Sequence, residues 1–198
     1  EATYMTTESQ QPGGLTDELF AQYASQSIRS RNWFSTPWFV PSLSAQYIVS
    51  PSTKLDWKVF GTIAERNSIG FMRPINQEDD LGNRQVDRDY YTTYGSELRM
   101  TSEHQLFGIS NTLAAGIRYY NGRIDRKQNG VGDSGSEMNF ELIPGQEFPR
   151  DLDFRNVNYA AFAENAFRFS EKFLMTAGLR VESIRSENQG QFGVSNGD

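Results

Sequence analysis

The chain has 198 residues, and its 19 basic against 25 acidic side chains give a net charge of −6 at pH 7. An acidic chain has no general attraction to the phosphate backbone of nucleic acids, so we expect no nucleic-acid partner. The absence of cysteine excludes disulfides, thiolate metal sites and cysteine nucleophiles. The longest uninterrupted apolar run, Tyr159–Ala163, is far too short for a membrane-spanning helix, although a β-strand can cross a membrane with only alternate residues apolar.

Alternation of apolar and polar residues with a period of two runs through most of the chain, and this pattern is typical of strands with two unlike faces. In chain order it predicts a partial strand at 1–6 and strands at 39–49, 54–63, 90–100, 111–119, 157–169 and 173–182. The alternation is cleanest at 54–63, where Leu55, Trp57 and Val59 occupy odd positions between polar residues. No segment keeps a period of 3.6, so we expect little helix.

The predicted connections alternate between short and long. Short links fall at 50–53, 102–109 and 170–172, whereas the long ones span about 8–35, 66–89 and 122–156. In an antiparallel meander all the long loops then emerge at one end, as in outer-membrane barrels, whose long loops are extracellular. The sequence therefore predicts an all-β fold, an antiparallel up-and-down transmembrane β-barrel segment of about seven strands that occupies residues 1–198 as part of a larger barrel.

The alternation also predicts which side chains share a face. Leu113–Arg118 and Met175–Arg180 repeat one pattern, in which a glycine and an arginine lie two positions apart on the polar side of a strand. Charges on the lipid side near the membrane midplane are costly, so we expect the charged residues to face the lumen. The residues predicted to face the lumen are Glu97, Arg99, Arg118, Arg180 and Glu182. Those predicted to face lipid are Trp57, Ile63, Leu113, Ile117, Leu179 and Val181.

Three runs near the end of the chain, Asn158–Asn165, Phe169–Phe173 and Thr176–Glu182, resemble the barrel of TonB-dependent outer-membrane receptors. Gln10–Asp17, followed by Ser30–Phe34, is more narrowly similar to the ferric dicitrate transporter branch of that family. The resemblance implies a barrel of about 22 strands, closed by an N-terminal plug domain that would lie outside residues 1–198. It also implies import driven by a TonB-type energy-coupling protein that acts on the plug from the periplasm.

The polar residues predict no catalytic site and no metal site. His104 lies between Glu103 and Gln105 in a predicted short turn, away from the long loops, and nothing places a nucleophile and an orienting group beside it. The run Asp125–Asp133 only partly matches a calcium loop, because lysine occupies the third position and Ser136 the closing one, so we interpret it as a flexible loop. The acidic residues around Glu78–Asp80 are interpreted as a solvated loop. We expect no resident cofactor, and the ferric chelate enters as transported ligand.

Arginines in and beside the long loops are the candidate ligand-binding residues. A citrate-based iron chelate is anionic and rich in carboxylates, which the planar guanidinium fork binds well. Trp33 is expected to anchor the first long loop at the rim. The candidates are Arg29, Arg31, Trp33, Arg73, Arg84, Arg88 and Arg123.

Three classes of function fit these patterns. The first is an outer-membrane receptor-transporter for a ferric chelate, with TonB-type coupling, membrane lipid and the chelate as partners. The second is a passive outer-membrane channel, which would share the strands but need neither a plug nor a tight ligand. The third is a soluble β-sandwich interaction module. On the same barrel, TonB-dependent uptake of a carbohydrate, cobalamin or peptide instead of iron also stays open.

Overall fold

We describe residues 1–193 from a computed structural model of the chain, so residues 194–198 of the predicted barrel segment lie outside the described range. Within residues 1–193, nine strands and one short helix follow one another. In order they are β1 (Ala2–Met5), β2 (Glu8–Gln10), α1 (Asp17–Gln22), β3 (Trp33–Ser35), β4 (Trp38–Ser50), β5 (Thr53–Gly70), β6 (Gln85–Leu106), β7 (Ile109–Val131), β8 (Arg150–Ser170) and β9 (Phe173–Phe192).

All the strands of residues 1–193 join one open antiparallel sheet, and from β4 onward each strand pairs with the next one along the chain. Its main path runs β1-β4-β5-β6-β7-β8-β9, so the prediction of about seven antiparallel up-and-down strands is confirmed. We call the end of the sheet from which the long connections emerge its upper end. The short strand β2 pairs with β3, and β3 pairs with the upper end of β5. The fold is therefore a barrel wall laid out in sequence order.

The single helix among the described residues lies in the first long connection. Thr16 caps it by accepting a hydrogen bond from the Leu19 backbone N–H at 3.3 Å, and Asp17 and Glu18 supply the negative charge that a helix N-terminus favours. None of its residues is buried. Within residues 1–193, no helix has both the length and the apolar character needed to span a membrane.

The short connections are tight hairpin turns at 51–52, 107–108 and 171–172. At the second of these, Phe107 and Gly108 both have positive φ, of 53° and 76°, which is the geometry of the two-residue turn that best matches the twist of paired strands. Phe107 takes this conformation although it is not glycine. It projects from the turn almost fully exposed.

The strands extend further than their alternation predicts. The long connections are 11–32, 71–84 and 132–149, so the predicted bounds of 8–35, 66–89 and 122–156 were too wide. His104 accordingly lies inside β6 and not in a turn, and the predicted flexible loop at 125–133 is strand as far as Val131. The reason is that the upper ends of the strands carry polar residues on both faces. Their apolar alternation disappears there while the backbone ladder continues.

The strand registers sort the side chains onto two faces. One row of paired residues crosses five strands as Trp57, Leu98, Ile117, Ala161 and Val181. The adjacent row on the other side is Lys58, Glu97, Arg118, Ala160 and Glu182. Because lipid accepts apolar side chains and rejects charged ones, we call the first side the outer face and the second the luminal face. The registers place all the predicted lumen residues on one face and all the predicted lipid residues on the other, so the predicted separation of the two sets is confirmed. Contact of the outer face with lipid stays a prediction.

Aromatic clusters bound the apolar belt of the outer face. At the upper edge, Tyr119 lies between Tyr94 and Tyr159, with ring centroids 6.1 and 5.1 Å away. At the lower edge, Phe167 and Phe173 flank Phe169 at 6.2 and 5.4 Å, beside the turn at 171–172. Residues 159–167 of β8 therefore cover the belt, and a tilted strand needs about 9–11 residues to cross a bilayer. The two clusters have the position of the aromatic girdles of outer-membrane barrels.

Candidate functional site

The three long connections, residues 11–32, 71–84 and 132–149, contact one another at the upper end of the sheet, and we call them the loop cluster. Arg29 is buried and joins the first connection to the second. Its Nη2 donates to the backbone oxygens of Pro74 and Gln77, both at 3.0 Å, and its guanidinium lies 4.8 Å from the centre of the Phe71 ring. Within the described residues, all the hydrogen bonds that the Arg29 guanidinium donates go to backbone oxygens.

Arg31 joins all three connections. Its Nε donates to Asp79 at 2.9 Å, and its Nη1 donates to the backbone oxygens of Gly82 at 3.2 Å and Ser134 at 2.8 Å. The hydrogen bond from Arg31 is the main cause that holds the pKa of the Asp79 carboxyl below its ordinary value. Ser134 is 103 residues away in sequence, so the contact depends entirely on the fold.

Arg84, the last residue of the second connection before β6, also belongs to the loop cluster. Its side chain is fully buried, and its Nη1 donates to the backbone oxygen of Arg31 at 3.0 Å. Its Nη2 donates to Asp133 at 2.5 Å, and this hydrogen bond is the main cause of the lowered pKa of that carboxyl. Trp33 adds a further tie, because its indole N–H donates to the backbone oxygen of Ser136 at 2.7 Å.

The remaining predicted ligand residues lie elsewhere. Arg73 is exposed in the second connection and lines a polar cavity of about 320 Å³. Arg88 and Arg123 lie on the outer face, where Arg88 donates to Glu141 at 3.3 Å and Arg123 pairs with Asp153. The structure therefore brings Arg29, Arg31, Trp33 and Arg84 together as ties within the loop cluster. Contact between any of these residues and a ligand stays a prediction.

A second group of arginines lies on the luminal face just below the loop cluster. Asp89 is 1% exposed, and Arg66 and Arg126 approach it from the strands on either side. Arg66 Nη1 donates to Asp89 Oδ2 at 3.5 Å, and Arg126 Nε donates to Oδ1 at 3.2 Å. Each guanidinium also lies over a phenylalanine, Phe34 for Arg66 and Phe154 for Arg126, at 5.7 Å in both cases.

Arg150 extends this group to β8. Its guanidinium lies 4.3 Å from the centre of the Phe192 ring, and its Nη1 donates to Gln128 at 3.1 Å. Its Nε is buried and has no hydrogen-bond partner among the described residues. We call Arg66, Arg126 and Arg150 the arginine array. All three side chains lie over phenylalanine rings, and Arg66 and Arg126 also share the Asp89 carboxylate. The side chains of Arg66 and Arg126 are 50% and 35% exposed on this face.

Sequence reasoning missed the arginine array because all three residues fell inside predicted loops. The signal was nevertheless present. Arg66 continues the even-numbered polar positions of β5, and Arg126 lies eight positions after Arg118 on the same side of β7. Extending the period of two beyond the apolar residues would have placed both arginines in the lumen.

Lower on the luminal face, glycines make room for phenylalanine rings on which arginine side chains stack. Phe162 lies against Gly116, where an added Cβ would come within 2.6 Å of the ring, and Phe60 lies likewise against Gly95. Arg99 and Arg180 stack on Phe162 at 5.5 and 5.8 Å. Of the two glycines in the repeated glycine–arginine pattern, only Gly116 makes room for an aromatic ring. The nearest atom to Gly178 is the Glu164 Cβ.

The described residues contain no group of three or more His, Cys, Asp or Glu side chains that could hold a metal ion. His104 pairs with Asn111 across the β6–β7 hairpin, and its Nδ1 lies 3.4 Å from the Ser102 backbone oxygen. Asp125 and its neighbours are in a strand and cannot wrap around an ion as a loop would.

Comparison with known proteins decides between the classes of function. A family model described as TonB-dependent receptor-like β-barrel matches residues 4–197. The chain belongs to this family. The soluble β-sandwich alternative is thereby set aside, since the family is one of receptor β-barrels.

Among solved structures, this receptor-barrel chain is similar to a crystal structure of the ferric citrate transporter FecA in the unliganded form. The TM-score is 0.79 at 19% sequence identity, over 93% of this chain. The chain spans 26% of the length of that transporter. At this identity the likeness shows the fold alone. Comparison with curated protein sequences found no match.

Proposed function

We propose that the chain is part of the barrel wall of an outer-membrane receptor that imports a ferric chelate of the dicitrate type by TonB-coupled transport. The observation that carries the ligand class is the arginine array on the luminal face. Arg66 and Arg126 flank the buried carboxylate of Asp89 on that face, and Arg150 lies on the same face of β8. The similar solved structure is that of a ferric citrate transporter, which agrees with this ligand class.

The charge distribution gives the physical reason. A chain of net charge −6 does not attract an anion by its overall field, so a local positive patch must do so. Asp89 offsets only one of the charges of Arg66 and Arg126, and their stacking on Phe34 and Phe154 limits the side-chain motion that would be lost on binding. Carboxylate oxygens of a citrate chelate can accept charge-assisted hydrogen bonds from the remaining donors.

Binding is tested by titrating ferric dicitrate into the purified full-length receptor. We expect Arg66→Gln combined with Arg126→Gln to weaken binding at least tenfold, because each lost charge-assisted hydrogen bond contributes about 1.5–3 kcal/mol. The matched control is Arg185→Gln, which removes an exposed arginine of the outer face and should leave the affinity unchanged. Equal affinity of the double variant and the wild type would contradict the proposed site.

Energy coupling is tested in cells by the uptake of iron-55 as ferric dicitrate. We expect uptake through the full-length receptor to stop when the TonB-type coupling protein is deleted. Uptake that continues unchanged without that protein would favour the passive channel. A receptor that does not bind ferric dicitrate but depends on TonB for another solute would favour a non-iron cargo.

A further inference from the structure

An apolar cavity of about 420 Å³ lies on the luminal face, between the arginine array above and the charged row of Glu97 and Arg118 below. It spans β6 to β9, and most of its lining residues occupy luminal positions of these strands. The residues that form its apolar walls are Tyr91, Tyr120, Ile124 and Phe154. Its polar lining includes Thr93, Asn156 and Ser186.

A glycine on β7 keeps this cavity open. The three luminal positions of β7 between the charged row and the arginine array are Tyr120, Gly122 and Ile124. An added Cβ at Gly122 would lie 2.9 Å from the Tyr120 hydroxyl oxygen and 3.2 Å from the nearest carbon of its ring. A larger residue at this position would therefore displace the tyrosine ring. Gly122 lets that ring lie close to the sheet and leaves the space in front of it free.

The cavity is continuous with the arginine array because the two share side chains. Phe154 forms a wall of the cavity and also lies under Arg126, whose guanidinium is 5.7 Å from the ring centre. Tyr91 forms another wall, and its hydroxyl donates to Asp89 Oδ2 at 3.4 Å. A ligand whose anionic group binds to Arg126 can therefore place a neighbouring apolar group in the cavity.

Ferric dicitrate has carboxylates for the arginine array but no aromatic group for the cavity. We propose that the cargo is a ferric chelate that carries an aryl group beside its carboxylates. The carboxylates bind to Arg66 and Arg126, and the aryl ring enters the cavity below them. This inference rests on the proposed function and adds to it the part of the cargo that ferric dicitrate lacks.

An aryl ring fits the cavity in size and in chemistry. A cavity of about 150 Å³ with apolar walls is enough to hold benzene, so 420 Å³ has room for a ring and its linker. Tyr91, Tyr120 and Phe154 can contact that ring edge to face or in offset stacks, which aromatic pairs favour. Asn156 donates to Ser186 at 2.7 Å, so these two polar side chains already satisfy each other and do not require a polar ligand group.

The test titrates three iron complexes into the purified full-length receptor. The probes are the ferric complexes of citrate, of citrate monobenzylamide and of citrate monomethylamide. The two amides carry the same charge and differ only in the aromatic ring. We expect the benzylamide complex to bind at least tenfold more tightly than the methylamide complex, because one phenyl ring leaves water for an apolar cavity.

Filling the cavity with a protein side chain should remove this preference. Ser186 lines the cavity from β9 and is exposed, so Ser186→Trp introduces a ring there. We expect this variant to bind the two amide complexes equally and to keep the wild-type affinity for ferric dicitrate. The matched control is Ser183→Trp, on the outer face of the same strand, which should keep the preference. If Ser186→Trp does not assemble, Ile124→Asn makes one wall polar and should reduce the preference.

Two results would overturn the proposal: a wild type that binds the two amide complexes equally, or a Ser186→Trp variant that keeps the full preference. If ferric dicitrate binding still depends on Arg66 and Arg126 in either case, the proposed function stands and the cavity belongs to another occupant, such as a side chain of the plug. A receptor that binds none of the three complexes would contradict the proposed function, and this proposal with it.

Discussion

The arginines near the upper end of the sheet fall into two groups according to their hydrogen-bond and ion-pair partners. Arg29, Arg31 and Arg84 are buried among backbone oxygens and aspartates of the loop cluster. Arg66 and Arg126 instead share one carboxylate and keep open surface toward the lumen. A guanidinium whose donors are already satisfied gains little from a ligand, because each new hydrogen bond replaces an existing one. The number of hydrogen-bond acceptors that a guanidinium already has therefore distinguishes the arginines that stabilise the fold from those that are available to a ligand. Position in a loop does not make this distinction.

Asp89 is the residue that holds Arg66 and Arg126 of the arginine array together. Replacing it by Asn leaves Arg66 and Arg126 facing each other without their shared anion. We expect the free energy of unfolding of the full-length receptor to fall by about 3 kcal/mol, measured by urea denaturation in detergent micelles. Ferric dicitrate affinity should fall as well, since the two forks lose their common anchor. An unchanged midpoint would show that Asp89 does not hold the array.

A substitution at Gly116 tests whether this glycine is needed for the close packing of Phe162 on the luminal face. An added Cβ would lie 2.6 Å from both the Phe162 ring and the Leu98 backbone oxygen, and the oxygen cannot move without the strand. We expect Gly116→Ala to destabilise the barrel by about 1–3 kcal/mol, the usual range for overpacking. Ala114→Ser, one step along the same face, is the control and should have a small effect in the same denaturation measurement.

At the scale of whole elements, the loop cluster behaves as one unit because three connections far apart in sequence share their hydrogen bonds. The first contributes Arg31, the second Asp79 and Gly82, and the third Asp133 and Ser134. Such cross-ties order long connections that have little regular structure of their own. The loop cluster therefore presents a fixed rim above the luminal face.

The ion pairs of the loop cluster should make its order sensitive to acid. The pKa values of Asp79 and Asp133 are lowered in the folded chain by hydrogen bonds from Arg31 and Arg84. A lowered folded pKa gives stability that is fully present above the ordinary aspartate pKa of about 4 and is lost as the pH falls through the folded value. After correction for the pH dependence of the intrinsic amide exchange rate, the hydrogen exchange of residues 71–84 should thus be constant near neutrality and should rise in acid.

Arg31→Gln provides the control for this pH dependence. Without the arginine, Asp79 loses the main cause of its lowered pKa. The exchange of residues 71–84 should then be faster at neutral pH and should change less on acidification. A wild type whose loop exchange does not respond to acid would contradict the assigned role of these pairs.

At the scale of the whole molecule, the sheet separates two environments. Its outer face carries an apolar belt between two aromatic clusters, and its luminal face carries charged rows at the same level. Ile117 lies near the centre of the belt and is 61% exposed in this chain. An exposed apolar band of this extent on one face is explained by lipid contact.

If Ile117 contacts lipid, introducing a lysine should destabilise the barrel more on the outer face than on the luminal face. Ile117→Lys should destabilise the full-length barrel in phospholipid vesicles by about 2–4 kcal/mol, the cost of a lysine near the bilayer midplane. Thr112→Lys, on the luminal face of the same strand, should cost much less because that face is polar. Folding titrations into vesicles measure both. Equal costs would contradict the assignment of the faces.

The sequence by itself determined the strands in the membrane region, the short turns and the sorting of Ile117 from Arg118, because alternation with a period of two is a local property. It did not determine the ends of β5 to β8, since polar residues on both faces remove the alternation while backbone pairing continues. Nor did it determine which arginines are available. The partners of Arg31 lie 48 and 103 residues away, and those of Arg126 lie on a neighbouring strand, so only the tertiary structure decides whether a guanidinium is already satisfied.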